Sequence, residues 1–308
     1  MNDIFIQIAA YRDSDLPATL RNLIERAADP ERLHFGIFLQ LKPEDPAEWA
    51  DLPEHPHMKV ERIDAAASQG CCWARSQAQK FYNNETYWLQ IDSHMRAVYG
   101  WDRLLVQMHA ATGDSKAVLS TFPNGFEQPN HLLGNNLLPM IGPKGFSYYD
   151  LLMFEAALVR DTFDQPIPSA CVAGGFIFGP GEVVVKVPYD PELYFYGEEI
   201  SLALRLFTHG FNMYNPHKNV LYHLYKEGEG KEPTHWGDHN DWFKLNRKSM
   251  VRVHALCGTL SQAPKACEPN VLDLKDIDRY WLGSKRSLSD YEKVCGVSFK
   301  NQWVKSKS

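Results

Sequence analysis

The sequence lacks any apolar run near the ~20 residues needed to cross a bilayer. Its most apolar stretch, residues 171–179, is short and broken by glycines. The amino terminus has no basic segment ahead of a secretory core, because apolar residues 4–10 lead straight into Tyr11-Arg12-Asp13. The chain therefore reads as soluble and cytoplasmic, with no membrane span. Cysteine is sparse. Cys71, Cys72, Cys171, Cys257, Cys267 and Cys295 show no C-x-x-C spacing and no dense framework, which favours free thiols in a reducing compartment. Excess positive charge is missing too. A formal net charge of -6 argues against a general nucleic-acid binder, whose affinity rests on neutralising phosphates. A local basic pocket for a diphosphate stays open. There is no internal repeat and no low-complexity tract.

What is present suffices for a sizeable core. With 308 residues, 44% hydrophobic and 23% charged, the chain can form one large α/β domain or two small ones. Residues 4–10 read as a buried strand. Pro17 suits a first helical turn, and Leu20, Leu23, Ile24 and Ala27 recur at helical spacing up to Asp29-Pro30. Strands at 33–41, 58–63 and 87–91, with a helix opening at Gly70, continue an alternation that predicts a mostly parallel sheet flanked by helices. A helix over 101–111 and a strand over 117–121 follow. Between 122 and 168 Gly, Pro and Asn are frequent, which predicts irregular loops lying over the site. Residues 172–178 and 183–187 read as paired strands. Gly197-Glu198-Glu199 opens a helix ended by Gly210, with short strands at 211–214 and 220–224. Beyond Lys226 the chain turns polar and helical. The expected organisation is a catalytic domain over 1–226, with an acceptor-side insertion at 122–170, and a small helical extension over 227–308.

The strand at 87–91 ends abruptly in Asp92-Ser93-His94. In parallel α/β sheets, ligands bind beyond the carboxyl ends of the strands. Residues i and i+2 on an extended segment point the same way, so Asp92 and His94 are placed to share one divalent ion. The plain alternative is an Asp and a His capping a strand and a turn.

A family resemblance covers most of the chain. It rests on Ile8-Ala-Ala-Tyr11-Arg12-Asp13, residues 70–75, Leu89-Gln-Ile-Asp92-Ser93-His94-Met-Arg96, Ala173-Gly-Gly-Phe176, Gly197-Glu198-Glu199-Ile-Ser and Tyr222-His223-Leu-Tyr225, in that order. Together these resemble the cytoplasmic hydroxyproline-directed N-acetylglucosaminyltransferases and their bacterial relatives, and more distantly the mucin-type polypeptide GalNAc-transferases. The resemblance implies a GT-A-type nucleotide-sugar-binding fold, a UDP-sugar donor and a metal held by Asp92, His94 and His223. Two imidazoles and one carboxylate suit Mn2+ better than Mg2+, which prefers oxygen ligands. The alternative for His223 is a core histidine between tyrosines.

The resemblance also places Glu198-Glu199 near the reacting sugar. In inverting relatives the second acid deprotonates the acceptor; in retaining ones the first helps hold the donor sugar. The reading leans to retention, with Glu198 on the sugar and the role of Glu199 open. The helix dipole alone would also favour both acids there. Tyr11, Arg12 and Asp13 follow the first strand, where the base and ribose sit, though Arg12 and Asp13 also fit an exposed turn. Arg75 and Arg96 are candidates for nucleotide or diphosphate, with salt bridges as the alternative. Ser93 falls inside the donor motif. Gly174-Gly175 would let backbone approach the sugar, or form a plain turn. His235 and His239 approach a metal spacing but lack a zincin signature, so packing is favoured. The tyrosines near the site and Trp101 could line an acceptor groove or belong to the core. The expected acceptor is a hydroxyl, first a protein or peptide side chain, with a glycan, a small molecule or a modified DNA base as alternatives. A non-catalytic nucleotide-sugar-binding module and a metal-dependent hydrolase are the competing classes.

Overall fold

The computed structural model describes residues 2–225, 233–262 and 274–305, so Cys267 lies outside the described residues. In chain order the strands are β1 (Ile4–Tyr11), β2 (Leu33–Leu41), β3 (Met58–Asp64), β4 (Tyr87–Ile91), β5 (Met95–Ala97), β6 (Ala117–Ser120) and β7 (Asn124–Glu127). There follow β8 (His131–Leu132), β9 (Leu138–Phe146), β10 (Leu152–Val159), β11 (Ile167–Ser169), β12 (Phe176–Pro180), β13 (Asn212–Asn215), β14 (Leu221–His223), β15 (Val297–Ser298) and β16 (Trp303–Val304). The helices are α1 (Leu16–Arg26), α2 (Cys71–Ala78), α3 (Trp101–Ala111), α4 (Val183–Lys186), α5 (Glu198–Thr208), α6 (His235–Asp238), α7 (Trp242–Leu256) and α8 (Leu288–Cys295).

An eight-stranded sheet in the order β11-β13-β6-β12-β4-β1-β2-β3 forms the centre. β1 is its axis, parallel to β2 on one side and to β4 on the other. Ile4, Phe5, Ile6 and Ile8 are all buried, as expected where helices cover both faces of a sheet and strands become continuous apolar runs. α1 begins with Pro17 in its first turn and buries Leu16, Leu20 and Leu23. It stops where Asp102, on α3, accepts from the backbone N–H groups of Ala28 and Asp29 at 2.7 and 2.8 Å.

The sheet is mostly parallel, as expected, with β12 antiparallel between β4 and β6 and β11 antiparallel to β13 at the edge. Two expectations are corrected. Residues 183–187 form α4 rather than a strand: Val183, Val184 and Val187 are buried while Val185 is exposed, a helical spacing that a run this short cannot distinguish from a strand. The region 122–168 is not irregular, since β9 and β10 pair along a long antiparallel ribbon. Prolines at 139 and 143 disguise it. A two-stranded ribbon leaves one edge of each strand unpaired, where proline is tolerated.

A second, four-stranded sheet in the order β5-β14-β7-β8 is what assembles the site. β5 begins one residue after His94, and β14 pairs antiparallel to it with His223 opposite Met95. The register therefore sets the late histidine beside the early motif. α7 lies over the start of α5, where a Cβ on Gly197 would meet Val253 Cγ2 at 2.5 Å. α8, held by a capping box between Ser287 and Asp290, seats Tyr291 against Phe207 of α5. No helix among the described residues is long and apolar enough to cross a membrane.

Candidate active site

Asp92, His94 and His223 each offer one ligand atom, and these atoms all lie within 4.8 Å of one another. His94 Nε2 is 3.0 Å from His223 Nε2, which in turn is 3.3 Å from Asp92 Oδ2. Two imidazole nitrogens facing each other beside a carboxylate is a donor set that a shared cation satisfies. His223 Nδ1 is buried with no hydrogen-bond partner among the described residues, and the ring packs against Tyr225 with centroids 4.4 Å apart. His94 differs. Its Nδ1 donates to Asp13 Oδ2 at 2.5 Å, which turns Nε2 toward His223. Burial pushes the Asp92 carboxyl up, but hydrogen bonding from His223 and the charges of Arg75 and His94 outweigh it and hold the group well below the usual carboxylate range. The residues present therefore fit a divalent ion.

A buried ion-pair chain backs this cluster. α2 opens at Gly70, whose φ of +109° no side-chain-bearing residue adopts easily. One turn later, Arg75 turns inward. Its Nη2 donates to Asp92 Oδ1 at 2.6 Å and its Nη1 to Glu198 Oε1. Tyr189 donates its hydroxyl to the same Glu198 oxygen at 2.8 Å. The turn at 173–176, closed by Phe176 N–H to the Ala173 carbonyl, presses against this chain. A Cβ on Gly174 would sit 2.6 Å from Arg75 Nη1, and one on Gly175 2.6 Å from Asp92 Oδ2. Close approach, not backbone angle, demands glycine at both positions.

Glu199 accepts from the Gly174 N–H at 3.1 Å. Burial, then the negative charges of Glu198 and Asp92, raises its carboxyl to about 8 against the opposing hydrogen bond from Gly174 and the charge of Arg75.

One cleft of about 800 Å³ gathers Tyr11, Asp13, Arg75, Asp92, Ser93, His94, Gly174, Gly175, Glu198, Glu199 and His223. Several candidates have other duties than expected. Asp13 is almost fully buried and its oxygens already accept from Ser93 Oγ at 2.6 Å, His94 Nδ1 and the Asp15 N–H. Ser93, equally buried, directs its hydroxyl to Asp13 rather than to a nucleotide. Arg12 is absent from the cleft wall; its guanidinium is held between Asp45 and Asp238. Arg96 pairs with Asp15 and lies over the Phe126 ring, with no access to a diphosphate. Trp101 is core, donating its indole N–H to the Leu23 carbonyl.

Other residues complete the site. Tyr189, buried behind the cleft, sits in a proline-flanked loop, and only the tertiary fold brings its hydroxyl to Glu198. Cys71 lines the cleft 3.9 Å from Glu198, and burial raises its thiol to about 12. His235 stacks on His239 with centroids 3.9 Å apart and also lines the cleft. Phe195, Tyr196 and Trp236 are partly exposed at the same cleft.

A sequence profile of the family described as Glycosyltransferase (GlcNAc) matches residues 3–53 and 52–301. Among solved structures, the chain is similar to GalNAc-T7 with UDP, GalNAc and Mn2+, with TM-score 0.67 and 15% identity over 95% of this chain. It spans 56% of the length of that protein. At this identity the likeness speaks to the fold, which is the expected GT-A type. Structures of S. aureus TarS 1-349, and of TarS 1-349 in complex with UDP-GlcNAc, align at TM-scores of 0.47 and 0.45 and identities of 11% and 12%. They cover 90% of this chain in each case, and 89% and 78% of theirs. No curated protein sequence matches the chain.

Proposed function

This chain belongs to the Glycosyltransferase (GlcNAc) family, and from that premise we propose that it is a metal-dependent enzyme moving N-acetylglucosamine, or a related sugar, from a UDP-sugar to a hydroxyl. The observation that carries this reading is the convergence of Asp92, His94 and His223 in one nucleotide-sugar-sized cleft. The bound UDP, GalNAc and Mn2+ of GalNAc-T7 support the donor class. Two imidazoles and a carboxylate favour Mn2+ over Mg2+. When bound, the ion offsets charge on the departing diphosphate.

The remaining work falls to the chain's own side chains. Arg75 occupies one Asp92 oxygen and leaves the other turned to His223. Glu198, fixed by Arg75 and Tyr189, is aimed at the donor sugar. Gly174-Gly175 lets that sugar lie against backbone. Glu199 stands beside Gly174 at the same wall. With Glu198 engaged by Arg75 and Tyr189, its proposed part is to hold the sugar, in line with transfer with retention. Phe195, Tyr196 and Trp236 offer ring faces to an acceptor, proposed as a protein hydroxyl such as that of hydroxyproline, Ser or Thr.

The test is a panel of UDP-sugars with Mn2+, scored for UDP release and, by proton NMR, for product anomer. Release that depends on Mn2+ and is lost in Asp92→Ala supports the proposal. Absence of both UDP release and heat stabilisation by UDP with Mn2+ would remove it.

A further inference from the structure

α6 is only four residues long, too short to hold itself in water, so its position depends on what clamps it. Asp238, its last residue, is the strongest clamp. Oδ2 accepts from the Tyr11 hydroxyl at 2.8 Å and from Arg12 Nη1 at 2.8 Å, while Oδ1 accepts from Lys42 Nζ at 3.0 Å. Arg12 is gripped on its other side by Asp45, which also accepts from the Lys42 N–H. Arg12 adopts φ +47°, a left-handed conformation unfavourable for a non-glycine residue and kept only where its surroundings over-determine it.

At the other end of α6, His235 faces inward. The Tyr194 hydroxyl donates to its Nδ1 at 2.8 Å, and its Nε2–H donates to the Ser68 carbonyl at 3.2 Å. Its ring lies 5.2 Å from that of Tyr11, and both line the cleft. One carboxylate thus fixes the tilt of Tyr11 directly and the placement of His235 through its helix.

We infer that Asp238 is a positioning residue, which holds Tyr11 and His235 as two walls of the nucleobase end of the donor cleft. This rests on the donor reading above, with uracil at Tyr11. It accounts for Arg12 being spent on the clasp instead of on the nucleotide. Asp238 hydrogen-bonds Tyr11, Arg12 and Lys42 and none of Asp92, His94 and His223, so its effect falls first on the base end of the cleft.

The experiment compares wild type with Asp238→Asn and Asp238→Glu. UDP and inorganic pyrophosphate are each titrated in the presence of Mn2+, and kcat and KM are measured for the donor. In Asp238→Asn, losing the charged network weakens UDP binding and raises donor KM about tenfold. Pyrophosphate affinity and kcat stay unchanged, and Asp238→Glu recovers part of the loss. Amide exchange over 234–239 rises in Asp238→Asn with no ligand present. Equal weakening of UDP and pyrophosphate, or unchanged UDP binding and unchanged exchange, overturns the inference. Wild-type protein that binds no UDP at all overturns the donor reading instead, and with it the nucleobase wall.

Discussion

Replacing Asp13 by Asn changes one atom and tests how the cation site is built. Oδ1 of Asp13 accepts from the Asp15 N–H at 2.9 Å, while Oδ2 accepts from Ser93 Oγ at 2.6 Å and His94 Nδ1 at 2.5 Å. An asparagine has only one acceptor oxygen. If that oxygen stays on the Asp15 N–H, the amide NH2 faces His94 Nδ1. The imidazole must then shift its proton to Nε2, which removes the lone pair that coordinates a metal. If the amide flips, NH2 meets the Asp15 N–H instead. Neither arrangement satisfies all three donors. Loss of such a ligand-orienting partner weakens metal affinity by ~10–100-fold, or ~1.4–2.7 kcal/mol. The assay is the free Mn2+ signal in electron paramagnetic resonance, titrated without nucleotide. Unchanged Mn2+ affinity, with weaker UDP binding, would refute the orienting role and restore the ribose contact expected from sequence.

Three further outcomes follow from the same geometry. Gly175→Ala drives a Cβ to within 2.6 Å of Asp92 Oδ2, so Mn2+ binding should fall at least tenfold; calorimetric titration giving wild-type affinity would contradict the close-approach argument. Arg75→Met removes the one cation on Glu198, leaving that buried carboxylate with only the Tyr189 hydroxyl, and breaking such a pair costs about 3–5 kcal/mol, to be read as a lower midpoint in urea. A midpoint equal to wild type would mean that the chain of ion pairs contributes nothing. Burial, then the neighbouring His239 charge, lowers His235 from 6.5 to about 4, so the unfolded chain binds this proton more readily than the folded one. Its contribution to stability is complete above pH 6.5 and is lost as the pH falls through about 4. Melting temperature recorded from pH 7 to 4.5 should fall less steeply in His235→Gln; parallel curves would refute the assignment.

The parts of the site that the sequence made legible are those where local pattern and chemistry coincide. Asp92 and His94 stand at the end of an apolar strand, and Glu198 and Glu199 at a glycine-marked helix start. The fold class followed from the alternation of strands and helices around β1. Illegible features depend on tertiary register. Nothing local to Asp13 indicates that its oxygens are taken by Ser93 and His94, because that choice is made by how β1 and β4 align. Arg12 looked like a nucleotide contact because its partner Asp238 lies 226 residues away. The β9–β10 ribbon was hidden by prolines and glycines that mark loops in most contexts but fit an unpaired edge. Tyr189 reaches Glu198 from a loop with no periodicity to read.

The central claim is that Asp92, His94 and His223 hold one cation beside a uridine diphosphate. Anomalous diffraction from crystals soaked in MnCl2 and UDP tests it most directly. The account predicts a manganese peak bonded to all three side chains with the diphosphate against it. A peak elsewhere, or a nucleotide bound with no metal at this cluster, would contradict it.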